Sequence, residues 1–208
     1  MQAGSDSTTG LPHGPLGPTA AHLCIDMQTV FAERTDWHLP WLERVLPAVL
    51  RLARAHADHT IFTRFVPPER PEDMSGTWRR YYRRWRQMTL ERLDPAMVEL
   101  VPELAALVPP ATVIDKRLYS PFVEPALRQH LRARHIDTLI VSGAETDVCV
   151  LATVLGAVDH GYRVILATDA LCSASDRTHD ALLTLYRERF SEQIEAAETA
   201  AILDAWSG

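Results

Sequence analysis

Hydrophobic positions fall into two rhythms along this chain. Short apolar runs at 22–26, 59–64, 112–116, 137–142 and 163–167, with a brief one near 193–195, have the length and β-branched content of buried strands. Between them, stretches at 40–56, 78–92, 123–134, 147–161, 176–189 and 197–206 repeat their apolar residues at helical spacing. Strand and helix therefore alternate from residue 22 onward. That implies an α/β fold, a three-layer α/β/α arrangement around a Rossmann-like, six-stranded, largely parallel sheet. Residues 1–20 are rich in Gly, Pro, Ser and Thr and lack an apolar period, so they read as a flexible arm able to drape over a neighbouring subunit, with 21–208 as one domain.

Composition narrows the classes of function. The 208 residues carry a net charge of −6, which leaves no basic footprint for nucleic acid. No apolar run approaches the ~20 residues of a membrane span, and the N-terminus lacks a charged start followed by an apolar segment. The three cysteines contain no CxxC pair, so a reduced, cytoplasmic setting is the default. Cys24 reads as a packing residue of the first strand, and Cys172 as a partly exposed loop residue.

Three positions suggest chemistry. In Val141-Ser142-Gly143-Ala144-Glu145-Thr146-Asp147-Val148-Cys149 a strand meets a small-residue turn and then a helix, which puts Cys149 in the first helical turn. Unpaired N–H groups and the helix dipole favour a thiolate there. A lone cysteine in that place reads first as a small buried side chain, and two other residues change the balance. Asp26 closes the first apolar run, at the strand end where open α/β sheets form ligand crevices, although an Asp there also caps loops. Lys116 ends the third run. Of 21 basic residues it is the one lysine against twenty arginines, as a site requiring a compact ammonium would explain.

Together, Ile25-Asp26-Met27-Gln28, Lys116-Arg117-Leu118-Tyr119-Ser120-Pro121-Phe122 and Ser142-Gly143-Ala144-Glu145-Thr146-Asp147-Val148-Cys149-Val150 resemble the isochorismatase-like cysteine hydrolase superfamily, from about His22 to Asp204. The resemblance implies strand order 3-2-1-4-5-6, with a crevice between the Asp26 and Cys149 strands and Lys116 reaching back toward Asp26. It also implies a catalytic Asp26, Lys116 and Cys149, a cis peptide between Ala144 and Glu145, and an oxyanion hole from the N–H groups of Glu145 and Cys149. In this reading Asp26 is the base and Lys116 lowers the pKa of the thiol beside it. A homo-oligomer follows by resemblance, dimer and tetramer not distinguished.

Nicotinamidases of the superfamily carry an Asp-x-His pair after the second strand. Here the segment is Thr63-Arg64-Phe65-Val66-Pro67, so neither a metal nor another cofactor is expected and nicotinamidase is demoted. His179 reads as a hydrogen-bonding or packing residue behind the site. The expected reaction is hydrolysis of a C–N bond (amide, ureido or lactam) of a small molecule through a thioester. Isochorismatase-type vinyl-ether cleavage, a redox-sensing thiol and a non-catalytic binding protein are the alternatives.

The stretch after the second strand is the least generic. On a helix begun near Thr77, Trp78, Tyr81, Tyr82 and Trp85 share a face, while Arg80, Arg83, Arg84 and Arg86 spread more widely. An aromatic stripe packed on the body explains this pattern first, and a wall of the substrate pocket is the sharper reading. Arg64, Trp78, Tyr82, Arg117 and Phe122 are the candidate substrate-binding residues.

Overall fold

The structure is a computed structural model describing residues 11–206; residues 1–10, half of the expected arm, lie outside the described residues. Residues 11–19, also assigned to the arm from composition, instead pack on the body. Leu11 and Leu16 are buried, Leu16 donates to the Ala205 carbonyl at 2.8 Å, and Arg163 donates to the Gly14 and Pro15 carbonyls. Two well-spaced leucines are too sparse to show as a period, yet each removes enough apolar surface from water to hold the segment down.

Six strands, β1 (Ala20–Ile25), β2 (Thr60–Phe65), β3 (Thr112–Lys116), β4 (Thr138–Ala144), β5 (Arg163–Cys172) and β6 (Ile194–Ala197), form one parallel sheet in the order β3-β2-β1-β4-β5-β6. The helices are α1 (Thr29–Ala32), α2 (Leu42–Ala55), α3 (Gly76–Arg84), α4 (Pro102–Ala105), α5 (Pro125–Ala133), α6 (Cys149–Asp159), α7 (Asp176–Arg189) and α8 (Thr199–Ala205). Alternate residues of β1 feed two cores. Ala21, Leu23 and Ile25 face the side covered by α5, α6 and α7, while Ala20 and Cys24 face α2 and α8. On α2, Leu42, Val45, Val49 and Leu52 recur at helical spacing and are buried, each worth about 1.5–3 kcal/mol of apolar transfer.

The structure departs from the sequence reading in two stretches. β5 continues to Cys172, which is buried as the strand's last residue and is not a partly exposed loop residue. Its pairing with β4 shifts between Val141 and Gly143 and resumes at Leu171 and Cys172, an irregularity that conceals the second half of the strand from an alternation rule. The helix expected over 78–92 stops at Arg84. Trp85 leaves helical geometry, a short 3-10 turn follows at Arg86–Met88, and buried Met88 and Thr89 fix the chain there.

Gly143 has no alternative residue. Its φ is +101°, and a Cβ built on it would lie 2.1 Å from the Ile25 carbonyl oxygen. The ends of β1 and β4 therefore meet at backbone contact, which sets the spacing between Asp26 and the turn leading to Cys149. We predict that Gly143→Ala costs at least about 3 kcal/mol in a denaturant melt; a loss below about 1 kcal/mol would show that this approach can be rebuilt cheaply.

Candidate active site

Three strand ends deliver the polar groups. Asp26 follows β1 with φ +50°, a left-handed geometry that Asp tolerates better than most residues. Thr63 on adjacent β2 holds it from both directions, accepting from the Asp26 N–H at 3.2 Å and donating its hydroxyl to Oδ1 at 2.6 Å. Gln28 ties the same strand ends together, accepting from the Phe65 N–H at 2.7 Å and donating to the Val98 carbonyl at 2.7 Å. Lys116 ends β3, one strand further out, in register with Phe65. Its ammonium lies 4.8 Å from the centre of the Phe65 ring and spans β2 to reach Asp26 Oδ2 at 2.7 Å. The same Nζ is 3.3 Å from Cys149 Sγ and donates to the Leu118 carbonyl at 3.2 Å.

Cys149 opens α6 and sets its sulfur against the ammonium that Asp26 also holds. All three groups are buried, with Cys149 at 7% exposure and Asp26 and Lys116 at 1% each. Lys116 stays cationic. Burial alone would lower its pKa, but Asp26 and then Cys149 more than reverse that. The Cys149 thiol moves opposite to the sequence expectation. Burial and the neighbouring Asp26 charge push its pKa up, and Lys116 only partly offsets them. The resting group is therefore a thiol.

The turn that presents Cys149 is clamped from behind. The Ala144–Glu145 peptide is cis. The Glu145 carbonyl accepts from the N–H groups of Val148 and Val150, and its carboxylate accepts from Ala174 N–H at 3.2 Å. That contact gives Glu145 a structural partner, while burial raises its pKa. Thr146 donates its hydroxyl to the Cys172 carbonyl and contacts His179 Nδ1 at 2.8 Å, and Ser173 donates to Asp147. His179 thus acts through Thr146, at a distance from the thiol. A small cavity of about 150 Å³ is lined by residues of this clamp, Cys172, Ser173 and His179, together with Trp41.

The family model for the isochorismatase domain matches residues 20–198. This chain belongs to the isochorismatase family. Its fold and much of its length coincide with a cysteine hydrolase of Pseudomonas syringae pv. phaseolicola 1448A, 30% identical, with a TM-score of 0.77 over 96% of this chain and 100% of that one. It is also similar to nicotinamidase 3 of Arabidopsis thaliana, 29% identical over 81% of each chain, and to maleamate amidohydrolase of Pseudomonas putida, 28% identical over 65% of this chain and 62% of that one. Other matches are shorter: with the uncharacterized isochorismatase family protein YwoC of Bacillus subtilis, identity is 38% over 41% of this chain, and the chain spans only 44% of that relative's length. As a member of the isochorismatase family the protein is a hydrolase. Among the described residues, no helix is long and apolar enough to cross a membrane, and no group of three or more His, Cys, Asp or Glu is arranged to hold a metal ion.

The expected substrate-binding residues divide. Trp78 does face a groove, one of about 570 Å³ lined by Thr77, Trp78, Arg80, Tyr81, Arg84 and Tyr119. Tyr82 does not line it; fully buried, it stacks on Trp78 at 6.1 Å and supports the wall from behind. Arg64 does not line that groove either. Its guanidinium is committed to Asp115 at 2.7 Å and Glu99 at 2.6 Å, on the sheet face opposite Phe65 and Lys116. Phe122 packs against His160, Tyr162 and the backbone at Gly156. Arg117 is exposed, and its backbone N–H donates to Glu124. Sequence reasoning missed Tyr81 and Tyr119 as groove residues, although both lie in motifs it had singled out. Burial raises the pKa of both phenols. Tyr119 packs against the cluster that holds Cys149 and stacks at 6.5 Å on Phe65, whose ring carries the Lys116 ammonium, so the groove adjoins the buried site.

Because the Asp26 charge helps to keep Cys149 protonated, its removal has a definite sign. Asp26→Asn should lower the Cys149 pKa, since Lys116 is then unopposed, and should accelerate iodoacetamide alkylation at pH 7 by about tenfold for each pKa unit gained. Slower alkylation in that variant, measured by mass spectrometry of the Cys149 peptide, would contradict this electrostatic account.

Proposed function

We propose that this protein hydrolyses a C–N bond of a small amide, ureide or lactam through a thioester on Cys149, with no metal ion. The observation that carries the reading is the single ammonium, Lys116 Nζ, held between Asp26 Oδ2 at 2.7 Å and Cys149 Sγ at 3.3 Å. An acid, a cation and a nucleophile in contact satisfy the nucleophile-and-base requirement of acyl transfer. Nicotinamidase 3 and maleamate amidohydrolase, by their names, act on amides, which favours C–N cleavage over ether cleavage.

Attack begins with a thiol, so the proton must leave as the bond forms. Asp26 accepts it while Sγ adds to the substrate carbonyl carbon. The carbonyl oxygen takes up the electron pair and is stabilised by the amide N–H groups of Glu145 and Cys149, aided by the N-terminal end of α6. Collapse of the tetrahedral adduct expels the nitrogen, which takes the proton from Asp26 and departs as the amine. A water then gives a proton to Asp26 and its oxygen to the thioester carbonyl, and as this second adduct collapses to the acid the departing sulfur takes that proton back from Asp26, restoring the thiol and the carboxylate. Lys116 holds the Asp26 carboxyl in place beside the reacting sulfur throughout, and its charge offsets the negative charge that develops there during attack.

The test is a panel of small amides and ureides offered to the purified protein. Wild type should release amine or ammonia and show a mass increase on Cys149 equal to the acyl group. Cys149→Ala should lose at least about 10³-fold in kcat/KM, as expected when a covalent nucleophile is removed. Amide turnover surviving that substitution nearly intact would overturn the thioester, and cleavage of a vinyl ether by wild type and Cys149→Ala alike would instead assign the chemistry to Asp26 acting as an acid.

A further inference from the structure

We infer that the groove beside Cys149 selects substrates bearing a carboxylate beyond a flat apolar spacer, with Arg80 and Arg84 as the anion-recognising residues; this rests on the hydrolase reading above. The two arginines are one helical turn apart on α3 and line the same groove, so their Cβ atoms stand about 6 Å apart, a separation that one carboxylate can bridge. Among the described residues neither is within ion-pair distance of a carboxylate, unlike others in this segment. Arg79 donates to the Met74 carbonyl, Arg83 pairs with Glu72 and Arg86 with Glu91. Arg84 lies 5.2 Å from the Trp85 ring, which leaves its hydrogen-bonding edge available.

The rest of the lining fits the same ligand. Trp78 and Tyr119 are 4.6 Å apart, Tyr81 stands edge-on to Trp78 at 5.5 Å, and the lining includes no acidic residue. In a chain of net charge −6, a groove with two cations and no anion is a local inversion that draws anions toward it. Tyr119 packs against the core cluster that holds Cys149 and stacks on Phe65 at 6.5 Å, the ring that carries the Lys116 ammonium, so a planar spacer seated on Tyr119 and Tyr81 would put its amide toward the thiol and its carboxylate at the arginines.

The test uses Cys149→Ala protein, which cannot turn over, and two probes of equal size, 4-carbamoylbenzoate and the neutral terephthalamide. Calorimetry at low salt should show the charged probe binding at least about tenfold tighter, an advantage that falls in 0.5 M salt. Arg80→Gln/Arg84→Gln on that background should bring the ratio to about one; both side chains are exposed, so the fold is not at stake. Equal affinities before the arginines are changed, no binding of either probe, or a ratio that survives their removal would each overturn the assignment. Mass spectrometry of wild type with an amide panel separates the two claims. An acyl adduct without a carboxylate preference sinks the groove assignment alone, and an arginine-dependent preference without any adduct sinks the hydrolase reading alone.

Discussion

The Lys116–Asp26 ion pair is the contact on which the arrangement depends. Both side chains are almost fully withdrawn from water, and either one left alone would carry a desolvation cost of several kcal/mol. The pair can exist only if three strands end together. β3 must bring Lys116 level with Phe65, β2 must present Thr63 beneath Asp26, and β1 must end in a left-handed residue that turns its carboxylate inward. A guanidinium would be a poor substitute. Its flat fork favours paired contacts on one carboxylate, whereas here a compact ammonium divides its donors between a carboxylate, a sulfur and a carbonyl. That geometric demand is a physical reason for one lysine in a chain that elsewhere uses arginine.

The same burial decides how the sulfur behaves. The helix N-terminus and Lys116 favour a thiolate, but a desolvated sulfur facing a carboxylate holds its proton. On the mechanism proposed above, nucleophile and base are therefore coupled before substrate arrives, and charge separation is deferred until a carbonyl is available to accept the electron pair. The other two cysteines show what burial does without such partners. Cys24 and Cys172 are both pushed up to about 12, chiefly by burial, so a raised thiol pKa is common to all three and does not mark the nucleophile. Position beside Lys116, more than cysteine chemistry as such, distinguishes Cys149.

How far the sequence could be read follows from which constraints are local. Strand ends are marked by the transition from an apolar run to a polar residue, so Asp26, Lys116 and the turn before Cys149 were visible, as were all six strands. The direction of a side chain at a strand end is not local. Arg64 looked like a pocket residue because it ends the second apolar run, yet the pleat sets it on the face of Asp115, opposite Phe65 and Lys116. Parity within β2 and β3 would have given that answer once their register was known. Phe122 failed for a related reason, since its partner is the close backbone at Gly156 on α6, 34 residues away along the chain. The sign of the Cys149 shift was missed because burial is a property of the assembled site, whereas the dipole and the lysine could be read in advance.

Chemistry and recognition are built here from different kinds of structure. The acid, the ammonium and the sulfur stand on strand ends and a helix start locked by backbone contact at Gly143 and by the Thr63 and Thr146 bonds, where a small displacement would break several interactions at once. The groove comes from α3 and Tyr119, exposed polar side chains and half-buried rings, the rings resting on buried Tyr82 and Phe65. Exposed positions such as Arg80 and Arg84 can change with little effect on stability, whereas Lys116 or Gly143 cannot. Selectivity can therefore drift along α3 while the reacting centre stays fixed. The physical basis is the single layer of aromatic rings that separates the rim from the ion pair and lets one vary without disturbing the other.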